Sequence, residues 1–338
     1  MFRNYRPDRC YLIAEIGGNF TTFEEARRLI DDAGRCGADA VKLQTYRADT
    51  LSSKKAVFDM ENTGVTSQYD LFVKYQIGEG LHRQVFDYVQ ATGLDWFSTP
   101  SHETDVDLLE NLGVGAHKIG SDDAWNIPFL RYVARTGKPV LLSTGMCTLE
   151  EVKESVAAIR EEGCKQLILL HAITSYPTHP ENVNLRAMQT LMREFPGIDV
   201  GYSDHTLGPI ACIAAAAMGA RVLEKHFTYD KNAAGPDHQL SADPAELKEI
   251  VDAVRTFEIM RGTGVKEPAE SERITRLNNR KSIVLLRSVK AGEPITLEHL
   301  AVKRPGMGIP PKFLAELPGR VVRRDMSAEE VLTWEDLQ

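Results

Sequence analysis

The sequence predicts an α/β chain: a (β/α)8 barrel followed by a small β-containing domain. Three observations carry that prediction. Eight short apolar runs of strand type alternate with helical runs, at about 20 to 40 residues per unit, which is the rhythm of a parallel barrel. Several of the strand-type runs end in charged or hydroxyl-bearing residues, as barrel strands do on the face where sites are built. After Arg261 the alternation stops, and a polar stretch leads into short strands and tight turns. A doubly wound open sheet is the competing class. It is disfavoured because no Gly-rich dinucleotide turn follows any strand.

Tyr11 to Ile16 is the first strand, buried in type and ending at Glu15. A Gly-Gly-Asn turn follows, then a helix that Thr22 caps with Glu25 three residues on, a capping box closed at Gly37. Ala40 to Thr45 is the second strand, the helix around Glu79 to Thr92 its return, and Leu94 to Pro100 the third strand. A helix over His102 to Leu112 leads to a fourth strand within Ala116 to Asp123, and Ile127 to Thr136 is again helical. Pro139 to Gly145, the helix Leu149 to Glu162, and the strand opening Gln166 to Thr178 continue the pattern. Leu185 to Phe195 is helical and precedes the seventh strand, Ile198 to Ser203. An alanine-rich helix over Pro209 to Gly219 joins it to the eighth, Val222 to Phe227. Pro244 to Arg261 closes the barrel domain, 1–262. Residues 263–279 read as a linker, and 280–338 as the small domain. One interruption, Arg47 to Gln76, reads as a loop or short helices over the barrel mouth.

With 338 residues, 43% hydrophobic and 26% charged, the chain can bury a sizeable core. A net charge of −8 argues against a general nucleic-acid or anionic-membrane binder, so an anionic substrate would need a local basic pocket. The five cysteines show neither CxxC nor a disulfide framework. The first residues lack the apolar core of a signal peptide, and no run approaches the ~20 apolar residues of a membrane span. The expected location is the cytoplasm.

Strand parity gathers the candidate residues. Side chains alternate along a strand, so Gly201, Ser203 and His205 share one face, and Val222, Glu224 and His226 share one face of theirs. Two histidines at the same end of neighbouring strands can converge on one divalent cation, and each alone could be an unrelated polar cap. Glu15, Lys42, Gln44 and Lys118 fall at other strand ends. Glu15 could be a structural ion-pair partner of either lysine, and Ser98, Thr99, Ser121 and Ser203 could be turn or cap residues. Taken together, lysines with hydroxyl donors suit a phosphate or phosphate-plus-carboxylate ligand. Two histidines with positions left open suit a catalytic metal acting as a Lewis acid: Mn²⁺, Mg²⁺, Fe²⁺ or Co²⁺, with zinc not excluded. Two carboxylates, Glu15 and Asp123, could handle protons.

Ten short motifs, in order, then resemble those of the sialic acid synthase family, which condenses phosphoenolpyruvate with an N-acylated hexose. They are AEIGGN (Ala14 to Asn19), VKLQT (Val41 to Thr45), FSTP (Phe97 to Pro100), KIGS (Lys118 to Ser121) and LSTGM (Leu142 to Met146), then YPT (Tyr176 to Thr178), SDHT (Ser203 to Thr206), EKHF (Glu224 to Phe227), GPDH (Gly235 to His238) and VKRPG (Val302 to Gly306). The resemblance spans nearly the whole chain, and the last segment is similar to that family's antifreeze-like (SAF) domain.

The resemblance implies a set of roles. His205 and His226 match metal ligands, usually for Mn²⁺, with Mg²⁺ or Co²⁺ as alternatives. Lys42, Thr99, Lys118, Ser121 and Ser203 match positions that hold phosphoenolpyruvate, and Glu15 and Asp123 match acidic positions at the reaction centre. Gln44, Tyr176 and Asp237 match sugar-binding positions, and Arg304 an arginine that a second copy's antifreeze-like domain brings to the sugar in a domain-swapped homodimer. The expected acceptor is N-acetylmannosamine, with a diacetamido-trideoxyhexose, as in legionaminic acid synthesis, as the alternative. Two departures stand out: Phe20 replaces a histidine that commonly follows Asn19, and Thr174 stands where some members have Asn or Ser. Competing readings are a deoxy-sugar-acid synthase or metal-dependent aldolase, and a non-catalytic sugar- or ice-binding protein.

Overall fold

The computed structural model describes residues 2–61 and 64–338, which fall into two compact units, Met1–Arg261 and Gly262–Gln338. In the first unit, strands β1 (Tyr11–Glu15) and β2 (Ala40–Thr45) are followed by β3 (Val57–Met60), β4 (Gly64–Ser67) and β5 (Asp95–Pro100). Then come β6 (His117–Ile119), β7 (Val140–Ser143), β8 (Leu167–Ala172), β9 (Asp199–Asp204) and β10 (Val222–His226). Leaving out β3 and β4, these strands close into a parallel barrel in the order β1-β10-β9-β8-β7-β6-β5-β2. The (β/α)8 fold is therefore present with each strand where the sequence places one.

The intervening helices are α1 (Phe23–Cys36), α2 (Ala48–Leu51), α3 (Gln68–Tyr75), α4 (Glu79–Gln90), α5 (Glu103–Leu112) and α6 (Ile127–Ala134). They continue with α7 (Leu149–Glu161), α8 (Arg186–Glu194), α9 (Ile210–Ala217) and α10 (Pro244–Met260). Their starts are written locally. Thr22 with Glu25, Thr148 with Glu151 and Asp243 with Glu246 form capping boxes, each cap contributing about 1 kcal/mol to its helix. Between these helices and the outer faces of the strands lies the main core, which includes Leu12, Val41, Leu43, Leu142, Leu169 and Val200.

Inside the barrel the layering is polarised. Tyr11, Ile13, Ala40, Phe97, Leu141 and Leu170 form an apolar cluster with Phe2 and Tyr5 from the segment before β1. Phe2 stacks on Tyr11 with ring centroids 5.2 Å apart, plugging the N-terminal end. Toward the C-terminal ends of the barrel strands the inward positions include Glu15, Lys42, Lys118, Ser143, Ser203 and Glu224. One end is thus closed by hydrocarbon, and the other is left for polar chemistry.

Two expectations need correction. The stretch from Arg47 to Gln76 is not only loop and helix: β3 and β4 pair as an antiparallel hairpin between α2 and α3. The four-residue strands are too short to announce themselves by alternation. Residues 263–279 are likewise not all linker, since α11 (Arg273–Asn279) occupies the second half. The Leu277 carbonyl accepts from the Gly306 amide at 2.7 Å, tying α11 to its own unit. That second unit pairs β11 (Ser282–Leu285) with β12 (Leu300–Lys303), antiparallel, over a small core of Ile283, Leu285, Ile295, Ile309, Val322 and Leu332. Among the described residues no helix is long and apolar enough to cross a membrane.

Candidate active site

The C-terminal ends of the barrel strands open into a cleft of about 600 Å³, within the range of small-molecule sites. Its floor is an alternating set of buried charges. Lys42 Nζ lies 2.5 Å from Glu15 Oε2 and 3.8 Å from Glu224 Oε1, and Lys118 Nζ lies 3.7 Å from the same Glu224 oxygen. Strand register explains the closest pair, because Glu15 on β1 is the direct partner of Lys42 on β2. Thr99 Oγ1 accepts from Lys42 at 2.8 Å, and Ser203 Oγ donates to Glu224 Oε1 at 3.1 Å. Such groups are costly to bury unless paired, and here each cation faces at least one carboxylate.

The pairing sets the protonation states. For Lys42, burial works against the charge but Glu15 and Glu224 outweigh it, so its ammonium is held above the ordinary lysine range. Burial brings Lys118 down to about 8, with Glu224 opposing and Lys42 adding to the shift. Burial also raises Glu15, against the pull of Lys42, while in Glu224 the two lysines overcome burial and lower it. Glu224 is therefore the carboxylate that stays ionised, and Glu15 the one that takes a proton more readily.

Glu15 is buried beneath the floor rather than lining the cleft. Its Oε1 accepts from the Gly17 amide at 2.8 Å, and its Oε2 faces Lys42. A side chain at Gly17 would collide with that carboxylate and with Gln44, so the turn needs glycine for close approach. Glu15 thus sits at the cleft side by side with Lys42, its direct ion-pair partner. Asp123 sits beside the cleft rather than in its lining. Its carboxylate accepts from Asn126 Nδ2 at 2.8 Å, and the acidic residue of that run lining the cleft is its neighbour Asp122. Burial, with Asp122 adding to it and Asn126 opposing, raises Asp123 to about 6.

Above the floor, His205 and His226 stand with ring centroids 5.5 Å apart. His205 Nδ1 donates to the Ile173 carbonyl at 2.7 Å, which fixes the tautomer and leaves Nε2 as a lone-pair donor. His226 Nδ1 is buried without a hydrogen-bond partner, and Asp237 Oδ2 lies 3.6 Å from it. Burial holds both imidazoles below their ordinary range, and His226 is lowered further by His205. Neutral imidazoles with an orphaned nitrogen fit a divalent cation. Among the described residues, however, no group of three or more His, Cys, Asp or Glu forms a ready-made cage, so other positions would fall to water or substrate.

Tyr176 packs on His205 at 4.3 Å between centroids. With Gln44 and Asp237 it lines the cleft. Burial, with Glu15 adding to it, raises Asp237 to about 7. Ser121, Ser143 and Thr174 line one side, where Ser121 Oγ accepts from the Gly145 amide at 3.0 Å. Ser143 Oγ and Thr174 Oγ1 are buried and have no partner. A Cβ on Gly145 would sit 2.5 Å from Thr174 Oγ1 and fill the space between these hydroxyls. Thr174, read as a departure, is thus part of a hydroxyl cradle suited to an anion. Phe20 packs in the core outside the cleft, so it removes no polar group from the cleft lining. Arg304 belongs to the second unit.

Sequence reasoning missed Glu224, Ser143 and Asp122. Glu224 was within reach, since it shares the β10 face of His226. The stretch expected over the barrel mouth supplies the outer wall, but its residues were not singled out: Tyr46, Leu51, Phe58, Leu71, Phe72 and Tyr75 line it, from the segment carrying α2, the hairpin and α3. Phe72 anchors that wall, with Tyr46 at 5.2 Å and Phe58 at 5.7 Å between centroids.

Fold and cleft together define a barrel protein with a charged, partly apolar site at the C-terminal ends of its strands. The chain belongs to the NeuB family: residues 29–266 match that family and residues 280–338 match the SAF domain. It is 42% identical over 328 residues to an uncharacterised protein of Methanocaldococcus jannaschii, covering 97% of this chain and 94% of the relative. It is 39% identical over 338 residues to the N,N'-diacetyllegionaminic acid synthase of Legionella pneumophila, covering 97% and 95%. Among solved structures, an N-acetylneuraminic acid synthetase from Leptospira borgpetersenii matches with a TM-score of 0.71 at 30% identity, covering 79% of this chain and 90% of that one. The resemblance to sialic acid synthases in the ten motifs is therefore one of family.

Proposed function

We propose that this chain condenses phosphoenolpyruvate with an N-acylated hexosamine, by default N-acetylmannosamine, to a nine-carbon keto acid with release of phosphate. The observation that carries the reading is the buried Lys42 and Lys118 beside the unpartnered hydroxyls of Ser143 and Thr174, facing two neutral histidines across one cleft. Lys118 and Lys42 neutralise the substrate's carboxylate and phosphate, and Thr99, Ser121, Ser143, Thr174 and Ser203 supply donors to its oxygens. C3 of phosphoenolpyruvate attacks the aldehyde carbon of the open-chain sugar, water adds at C2, and phosphate leaves by C–O cleavage. Glu224, ionised and facing the cleft, positions or deprotonates the water, and Glu15 exchanges protons through Lys42. Gln44, Tyr176 and Asp237 hold the acceptor. A divalent cation on His205 and His226, Mn²⁺ first and Mg²⁺ or Co²⁺ next, supplies Lewis-acid polarisation of the aldehyde oxygen when bound.

A specific observation favours a second acceptor. The outer wall of Tyr46, Leu51, Phe58, Leu71, Phe72 and Tyr75 is largely apolar, with Asp59 and Gln68 beside them, and among the described residues the lysines lining the cleft are Lys42 and Lys118, both at the floor. Methyl and acetamido groups suit such a wall. A 2,4-diacetamido-trideoxyhexose has that chemistry, as does the product named for the Legionella relative. Phosphate release with phosphoenolpyruvate and each sugar in turn tests both readings, and no release with any aminosugar would overturn the reaction itself. Under this reading the protein works in the cytoplasm as a domain-swapped homodimer, with Arg304 completing the acceptor site of a second copy.

A further inference from the structure

We infer that Asp204 and Lys225, which face away from the cleft, are positioning residues that aim His205. Side chains alternate on β9 and β10, so Asp204 and Lys225 point outward while Ser203, Glu224 and His226 point in. The two are direct partners across the strands, with Lys225 Nζ 2.7 Å from Asp204 Oδ2. Both are sealed between barrel and helices, at 0% and 2% exposure.

What the pair grips is Thr206, the residue immediately after His205. Asp204 Oδ1 accepts from the Thr206 amide at 2.9 Å, and Oδ2 from the Thr206 hydroxyl at 3.1 Å. Lys225 donates to the Thr206 carbonyl. Every polar group of Thr206 is therefore held by the ion pair. Tyr202 at 2.9 Å and Cys212 at 3.4 Å donate to the same Asp204 carboxylate, which ties the clamp to β9 and α9. His205 is thus fixed on both sides along the chain, and the Thr178 amide donates to its carbonyl at 2.8 Å. Strand pairing alone does not reach this point, because β9 ends at Asp204. The clamp replaces the missing ladder where the imidazole leaves the strand.

This inference rests on the reading of His205 as a metal ligand, and the test separates the two. Mn²⁺ affinity is measured by electron paramagnetic resonance and phosphoenolpyruvate affinity by calorimetry, in wild type, Asp204→Asn, Thr206→Val, Thr206→Ser and His205→Ala. Partners bonded to a ligating histidine's ring are worth about 10- to 100-fold in metal affinity. Here that partner is the Ile173 carbonyl, and Asp204→Asn, acting one step behind it through Thr206, should lose at least severalfold. Thr206→Val, which keeps the ion pair and loses only one clamp bond, should lose severalfold, and Thr206→Ser should restore wild-type affinity. Phosphoenolpyruvate affinity should stay near wild type in all three. Should Asp204→Asn not fold, Thr206→Val against Thr206→Ser decides. Wild-type Mn²⁺ affinity in Thr206→Val, or parallel loss of phosphoenolpyruvate affinity, would overturn the positioning role. A wild-type protein that takes up no Mn²⁺, or a His205→Ala protein that binds it unchanged, would overturn the metal reading and the inference with it.

Discussion

Glu224 Oε1 stands 3.7 Å from Lys118 Nζ and 3.8 Å from Lys42 Nζ, so one buried carboxylate is shared by two cations that face a cleft. That sharing decides how the floor responds to an anion. The floor binds a ligand's charge only as far as Glu224 leaves the lysines uncompensated.

Lys118 should carry the pH dependence of phosphoenolpyruvate binding. Burial brings it down to about 8 from an ordinary 10.5, so it is charged below that pH and loses its proton above it. Affinity measured by calorimetry should therefore be level below about pH 7 and fall as pH rises through 8. Lys118→Arg, always charged, should remove that fall. Lys118→Ala should raise the KM for phosphoenolpyruvate at least about tenfold, since a charge-assisted contact is worth roughly 1.5–3 kcal/mol. A loss confined to the sugar KM would place the wrong substrate there.

Glu224→Gln should separate binding from chemistry. It removes the negative charge between two lysines, so phosphoenolpyruvate should bind at least as tightly as in wild type. If Glu224 handles the proton of the attacking water, kcat should drop by about 10²-fold or more. Steady-state kinetics with both substrates reads the two effects apart, and an unchanged kcat would exclude the role.

Chelation should abolish turnover, and added Mn²⁺ should restore it. His205→Ala and His226→Ala should each weaken metal binding while circular dichroism and melting show a folded barrel, because both rings border the cleft rather than the apolar core. Full activity in excess EDTA after dialysis would count decisively against a metal.

The site should be shared between two chains. His205→Ala and Arg304→Ala proteins, each inactive, are unfolded together and refolded. If Arg304 acts in a second copy's site, each mixed dimer carries one site with both lesions and one with neither. Random pairing then restores roughly a quarter of wild-type sites. Background activity, with mixed dimers shown by mass spectrometry, would exclude sharing.

The sequence by itself determined the barrel, its strand order and most of the floor. Period-two alternation and capping boxes are local signals, and in a closed parallel barrel they suffice: inward parity at a strand's C-terminal end is a place in the site. Lys42, Lys118, Ser203, His205 and His226 were legible for that reason. Tertiary structure decided the rest, because it depends on which way a side chain turns and on what lies across the cleft. Glu15 and Glu224 have the same strand-end signature, yet Gly17 and Lys42 draw Glu15 under the floor while Glu224 stays at its surface. Asp122 and Asp123 are adjacent in a turn, where no periodicity exists to say which faces inward, and the bond to Asn126 settles it. The aromatic wall is more remote still. Its residues lie between Tyr46 and Tyr75 in an excursion whose short strands leave no pattern, and only folding stacks Tyr46 and Phe58 on Phe72 at the cleft.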